Sequence, residues 1–187
     1  MMVSWNKQHH DQLDFHWRTQ LRPRLEGLTD EEYFWEPVPR CWSLRKRGES
    51  EAPLTLGAGD YLIDIAEKDF DPPPVTTIAW RLAHIMVGCF VMRLDSRYFG
   101  GPQTYRDSYS AGYGSFTYAG TAEEALEQLD ALYAQWSAAV RRLGDEGLTD
   151  PSEFADEPMS TLVLHINREV IHHGAEIALL RDLYRAM

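Results

Sequence analysis

Apolar residues recur at spacings of three and four in four long segments of this chain, and this periodicity constrains its fold more than any other feature. The segments run from about 5 to 28, 76 to 98, 121 to 143 and 159 to 185. Each would bury one apolar stripe against its neighbours, and no pattern predicts a convincing sheet. We therefore predict an all-α protein, a four-helix bundle with a long loop between its first and second long helices, forming one domain over residues 1–187.

Short motifs mark two helix starts, and two regions without helical periodicity separate the helices. Thr29–Glu32 and Thr121–Glu124 each place a threonine three residues before a glutamate, which is the pattern of a capping box. Residues 37–74 contain scattered proline and glycine, and one alternating run, Tyr61–Ile65, predicts a short strand or an extended loop. The segment 104–120 is rich in tyrosine and glycine, so we predict a loop there.

Five polar residues share one face of the last predicted helix: His165, Glu169, His172, His173 and Glu176. At 100° per residue they fall within an arc of about 100°. Five apolar residues lie in or beside the same arc, namely Leu162, Ile166, Leu180, Leu183 and Tyr184. The polar cluster is therefore predicted to face the core, where imidazoles and carboxylates need a partner such as a divalent cation.

Glu169 and His173 are four residues apart, so both side chains could bind one cation from a single helix turn. An ionic pair without a metal would have the same spacing. His84 is the best third ligand because it lies within the apolar face of the second long helix, although a histidine there could equally be a hydrogen-bonded core residue. His9 and His10 of the first helix are expected to face solvent.

Three motifs occur in order along the chain: Trp35-x-Pro37-x-Pro39-x-x-Trp42-Ser43, Trp80-x-x-x-His84 and Asn167-x-Glu169-x-x-x-His173. Together they resemble the DinB-like metalloprotein superfamily, which implies a bundle of DinB-like type. Many members of that superfamily use three histidines, two of them as an HxxxH pair on the last helix. Glutamate at the first position of that pair is similar to the metal-binding domain of mycothiol-dependent maleylpyruvate isomerase. The resemblance implies His84, Glu169 and His173 as metal ligands.

Two neutral imidazoles and one carboxylate suit zinc, and less specifically nickel, iron or manganese. Three protein ligands leave open positions for chemistry, whereas a closed structural zinc would need a fourth ligand from His172, His165 or Glu176. His172 is offset by about 100° from His173, so an undistorted helix would not bring both to one ion. His165 and Glu176 are catalytic candidates that could act as acid and base, orient the ligands, or serve only as polar groups of the bundle.

The resemblance implies a metal-dependent enzyme in which the ion lowers the pKa of a low-molecular-weight thiol such as mycothiol, for S-transfer or isomerisation of an electrophilic substrate. A metal-dependent hydrolase, with His165 or Glu176 as proton carrier, would use the same ligands. A noncatalytic binding domain stabilised by the metal is a third hypothesis. The requirement for an added thiol and the effect of chelation on stability separate the three.

The formal net charge of −11 argues against nucleic acid and anionic membranes as partners, since both bind through clustered Lys and Arg. One basic run contains Arg40, Arg45 and Arg47, which could hold a polar or anionic cofactor or could form a solvated loop. Two cysteines make no disulfide framework, and neither a signal peptide nor a run of about 20 apolar residues is present. We expect a cytoplasmic protein, and exposed apolar helix faces would allow a homodimer.

Overall fold

The computed structural model describes residues 3–66, 71–104, 109–153 and 157–187 of the chain. Residues 67–70 and 105–108, which belong to the two predicted loops, lie outside the described residues. The α-helices are α1 (Trp5–His16), α2 (Arg22–Arg24), α3 (Asp30–Phe34), α4 (Ile78–His84), α5 (Met92–Leu94), α6 (Tyr109–Ser115), α7 (Ala122–Gly147) and α8 (Met159–Arg185). The strands are β1 (Leu44–Lys46), β2 (Leu54–Leu56) and β3 (Tyr61–Ile65). The protein is therefore mostly helical, as predicted, with a small sheet.

The first two long helices are each continuous through a π-helical segment. The first consists of α1, the π-helical segment Trp17–Leu21 and α2, and it ends at Arg24, where the sequence predicted an end near Leu28. The second consists of α4, the π-helical segment Ile85–Val91 and α5. Thr77 caps α4 by accepting a hydrogen bond from the amide of Trp80 at 3.2 Å, which confirms the predicted start. Such π-helical segments are rare and are frequent near functional sites.

The third and fourth long helices are α7 and α8. Thr121 accepts a hydrogen bond from the amide of Glu124, which confirms the predicted start of α7. At Gly144 the backbone leaves the helical region with φ of 63°, a conformation that glycine adopts readily, close to the predicted end at Leu143. Helix α8 spans the predicted range. Both α7 and α8 contact α1 and the second long helix.

The core between the long helices combines aromatic stacking with a few buried polar groups. The rings of Trp17 and Tyr133 stack at 3.8 Å between centroids, which joins the first long helix to α7. His10, expected to face solvent, is in fact buried, and its Nε2 lies 2.8 Å from the hydroxyl of Ser137. The prediction was wrong because α1 packs against α7 as well as against α8, and His10 lies on the side of α1 that faces α7. Among the described residues, no helix has the length and apolar character needed to cross a membrane.

The connection between the first two long helices contains a three-stranded antiparallel sheet in the order β1-β3-β2, so the prediction of a chain without a sheet is wrong there. Its buried carboxylate is Asp64, which accepts hydrogen bonds from the amide of Ser43 at 2.9 Å and from Nε of Arg45 at 3.2 Å. The indole of Trp80 donates to the backbone oxygen of Asp64 at 2.7 Å and so ties the sheet to α4.

Residues 109–115 form helix α6, within the segment that was predicted to be a loop. Tyr113 and Tyr118 are almost completely buried, and the hydroxyl of Tyr118 donates to the backbone oxygen of Tyr113 at 3.0 Å. The prediction failed because a helix of this length is stabilised by tertiary burial of a few side chains, which leaves no detectable periodicity. Helix α6 packs on the π-helical segment of the second long helix.

Candidate metal centre

The end of α4 and the middle of α8 bring together three side chains that the sequence indicated as metal ligands. One ligand-type atom from each of His84, Glu169 and His173 lies within 4.8 Å of the others. The two imidazole rings are 4.6 Å apart between centroids and nearly perpendicular, at 86°. Nε2 of His173 is 3.6 Å from Oε2 of Glu169. The three groups are therefore close enough to face a single ion.

His84 is held on two sides. Its ring stacks on Trp80 at 5.3 Å with an interplanar angle of 9°, and its Nδ1 lies 2.8 Å from the hydroxyl of Tyr113. Burial, together with electrostatic repulsion from His173 and Arg81, lowers the pKa of His84 to about 3. The imidazole is therefore neutral at pH 7, which is the form that binds a metal.

His173 contacts a second carboxylate through its other ring nitrogen. Its Nδ1 lies 2.7 Å from Oε2 of Glu176, and the same carboxylate oxygen is 3.1 Å from Nε of Arg81. Burial opposes ionisation of Glu176, but the hydrogen bond from His173 and the charge of Arg81 lower its pKa below the usual value. An ionised carboxylate only accepts, so Nδ1 of His173 donates to it, which leaves Nε2 directed at Glu169.

His165 lies beside the group and not within it. Its Nδ1 accepts a hydrogen bond from Nη2 of Arg168 at 2.6 Å and is 3.7 Å from Oε1 of Glu169. Burial lowers the pKa of His165, although the charge of Glu169 opposes this shift. The ring is therefore a neutral imidazole next to the carboxylate ligand candidate.

A second group, His172, His173 and Glu176, also brings its ligand-type atoms within 4.8 Å. Nε2 of His172 is 3.4 Å from Oε1 of Glu176, but the side chain of His172 is 62% exposed. An ion in this group would have to replace the hydrogen bond between His173 and Glu176 and the ion pair between Glu176 and Arg81. The two groups share His173, so the donor sets are alternatives for one ion.

The donor chemistry of His84, Glu169 and His173 fits a divalent metal. In each histidine an outer group engages Nδ1, and Nε2 is the nitrogen available to an ion. Two imidazoles and a carboxylate on two helices form the three-ligand type of site that leaves coordination positions open. In this arrangement Glu176 is not a ligand but the hydrogen-bond partner of one, His173.

A family model of the DinB superfamily matches residues 12–177. The chain belongs to the DinB superfamily. The match covers most of the four long helices and includes His84, Glu169 and His173, so the resemblance indicated by the three motifs is confirmed at the level of the superfamily. The chain has no significant match among the curated proteins or among the solved structures.

The basic residues that were candidates for cofactor binding lie in a different part of this DinB superfamily protein. Arg45 is paired with Glu36 at 2.9 Å and with Asp64, and Arg47 donates to the backbone oxygen of Gly59 at 2.8 Å. Arg40 is exposed. Arg40 and Arg45 line a cleft of about 780 Å³ together with four carboxylates, those of Glu36, Glu49, Glu51 and Asp64. The charge of Arg45 is thus balanced within the protein.

Neither cysteine offers a reactive thiolate. Cys41 and Cys89 are both buried and free, and burial raises the pKa of each thiol, that of Cys89 to about 12. Both thiols are therefore protonated at pH 7, and a nucleophilic sulfur would have to come from a small molecule.

Sequence reasoning missed two residues of this DinB superfamily site. Arg81 lies one turn before His84 on α4, and that spacing could have indicated it. Tyr113 comes from α6, which carries no periodicity, so its position beside His84 had no signal in the sequence.

Proposed function

We propose that the protein binds one divalent metal ion through His84, Glu169 and His173, in a four-helix bundle of the DinB type. The observation that supports this most directly is the convergence of three ligand-type atoms within 4.8 Å from two helices. The outer hydrogen bonds to both imidazoles support it further, because they engage Nδ1 of each ring and leave Nε2 for an ion. Zinc is the ion that this donor set suits best, with nickel, iron and manganese as the alternatives.

We further propose a thiol-dependent S-transferase or isomerase that uses a low-molecular-weight thiol of the mycothiol type. An ion held by His84, Glu169 and His173 would lower the pKa of a small-molecule thiol and so supply a thiolate at pH 7. Glu169 supports this class, because glutamate at that position resembles the metal-binding domain of mycothiol-dependent maleylpyruvate isomerase. We assign proton transfer to His165, because its imidazole lies 3.7 Å from the carboxylate of Glu169, whereas the ion-paired Glu176 positions His173.

Metal content of the purified, untagged protein tests the ligand set. We expect about one ion per chain after reconstitution with zinc, and loss of that ion in His84→Ala, Glu169→Ala and His173→Ala. His172→Ala separates the two groups, because it removes a ligand of the second group only. Loss of the ion in His172→Ala with retention in Glu169→Ala would contradict the proposed set. The control is His16→Ala, which removes a histidine of α1 that belongs to neither group.

A panel of thiols with a generic electrophile tests the reaction. The proposal expects turnover that needs both the added thiol and the metal, and that is lost in Glu169→Ala. Turnover of ester or amide substrates without any thiol would instead indicate the hydrolase. A metal that raises stability while no substrate is turned over would indicate the noncatalytic domain.

A further inference from the structure

We infer that Tyr113 is a positioning residue that fixes the orientation of His84 and holds its Nδ1, so that Nε2 is the nitrogen left for an ion. Its phenol oxygen lies 2.8 Å from Nδ1 of His84, and its side chain is 1% exposed. The inference deepens the proposed function and, for its effect on metal affinity, rests on it. The hydrogen bond itself is a property of the chain that can be measured with or without an ion.

The backbone around Tyr113 is built to hold this hydroxyl in place. Gly88, four residues after His84 in the π-helical segment, faces the contact. A Cβ atom at Gly88 would lie 2.7 Å from the hydroxyl of Tyr113 and 3.2 Å from Cε1 of His84, distances that are too short without movement of one group. On the other side, Tyr118 donates to the backbone oxygen of Tyr113 and anchors the end of α6.

The position of the phenol determines which nitrogen His84 presents to an ion, because the hydroxyl engages Nδ1. When the imidazole donates its Nδ1 proton to the phenol oxygen, the lone pair of the neutral ring is on Nε2. The stacking on Trp80 fixes the plane of the ring, and the hydroxyl fixes its rotation within that plane. Orientation by an outer partner is worth about 10-fold to 100-fold in metal affinity at well-studied sites.

The two imidazoles therefore have outer partners of different kinds. Nδ1 of His173 donates to an ionised carboxylate, and Nδ1 of His84 faces a neutral phenol. A carboxylate makes its imidazole a more basic ligand than a phenol does, because it stabilises positive charge on the ring. Tyr113 fixes geometry with little change in charge, and it brings a third element, α6, into the support of the site.

Nitrogen-15 NMR of the imidazoles in the metal-free protein tests the tautomer directly. We expect the Nδ1 signal of His84 to report a hydrogen bond to the phenol, and Tyr113→Phe to abolish that hydrogen bond and to change the balance of the two tautomers. A wild-type His84 whose Nδ1 makes no hydrogen bond, or one unchanged in Tyr113→Phe, would overturn the inference. A merely structural role of Tyr113 would leave this signal unmoved when the fold is retained by circular dichroism.

Competition with a chromogenic chelator tests the effect on zinc binding. We expect Tyr113→Phe to raise the Kd for zinc by about 10-fold to 100-fold, and Gly88→Ala to raise it as well. Tyr133→Phe is the matched control, because its hydroxyl bonds Asp14 at 3.0 Å and lies in another part of the core. An unchanged Kd in Tyr113→Phe would overturn the inference. A wild type that binds no metal would overturn the proposed function, while the NMR result would still decide the role of Tyr113.

Discussion

The carboxylate of Glu176 is placed to strengthen His173 as a ligand, and the hydrogen bond from His173 together with the charge of Arg81 lowers the pKa of that carboxyl group. We predict that Glu176→Ala raises the Kd for zinc by about 10-fold to 100-fold, because the imidazole loses its acceptor and can adopt the wrong tautomer. Chelator competition measures the change. Asp182→Ala is the matched control, since Asp182 is an exposed carboxylate on the same helix. A Kd equal to that of the wild type would contradict this role of Glu176 and would mean that water serves as the acceptor for His173.

For single residues, the spacing along the sequence determined which contacts could be predicted. Glu169 and His173 were recognisable because residues four apart on a helix are neighbours whatever the tertiary fold. The contact of His84 with Tyr113 joins two elements 29 residues apart, so no local pattern encodes it. His10 was assigned to the solvent because one helix can bury more than one face, and the sequence does not show which helices cover it.

Among the elements, the short helix α3 is joined to α8 by a buried ion pair. Glu32 is 3% exposed and Arg181 is 1% exposed, and their side chains are 2.8 Å apart between Oε2 and Nη2. Arg185 adds a contact of 3.1 Å between Nε and Oε1. Burial opposes ionisation of Glu32, but the hydrogen bonds from Arg181 and from the amide of Thr29 lower its pKa. The capping box predicted at Thr29 is confirmed, and it supplies the hydrogen bond from the amide of Thr29 to the carboxylate of Glu32.

This ion pair predicts an acid-sensitive stability. Because the pKa of Glu32 is lower in the folded than in the unfolded chain, its contribution is complete above the unfolded value of about 4.3 and is lost as the pH falls through the folded value. We expect Glu32→Gln to lower the free energy of unfolding by about 3–5 kcal/mol at pH 7, because the charge of Arg181 stays buried, and by less below pH 4.

Urea unfolding of the metal-free protein at pH 7 and below pH 4 measures this difference, and Glu26→Gln, at an exposed glutamate, is the control. An equal loss at both pH values would show that packing, and not charge, is the contribution of Glu32.

The elements that were missed are those without a long repeat. Strands β1 and β2 contain three residues each, and their sheet is stabilised by the carboxylate of Asp64, a residue that a hydrophobicity pattern places on the surface. Helix α6 contains seven residues and depends on the burial of Tyr113. Helices α7 and α8, with 26 and 27 residues, were predicted closely because their periodicity extends over many turns.

For the whole molecule, an ion bound between α4 and α8 would link two long helices of the core. We predict that zinc at 100 times its Kd stabilises the protein by about 2.7 kcal/mol and raises Tm by roughly 5–10 °C. Differential scanning calorimetry with and without a chelator measures the shift. His173→Ala should show none. A shift of the same size in that variant would indicate binding elsewhere in the chain.

The proposed ligands also have a consequence for synthesis of the chain. His84 precedes α6 and α7, whereas Glu169 and His173 lie in α8, which follows α7. A nascent polypeptide that has emerged only as far as α7 therefore carries one ligand of the three and cannot retain zinc through this site. Acquisition of the ion would then follow translation of α8 and its docking, so that a metal at this site would stabilise chains that contain α8 and not those that stop before it.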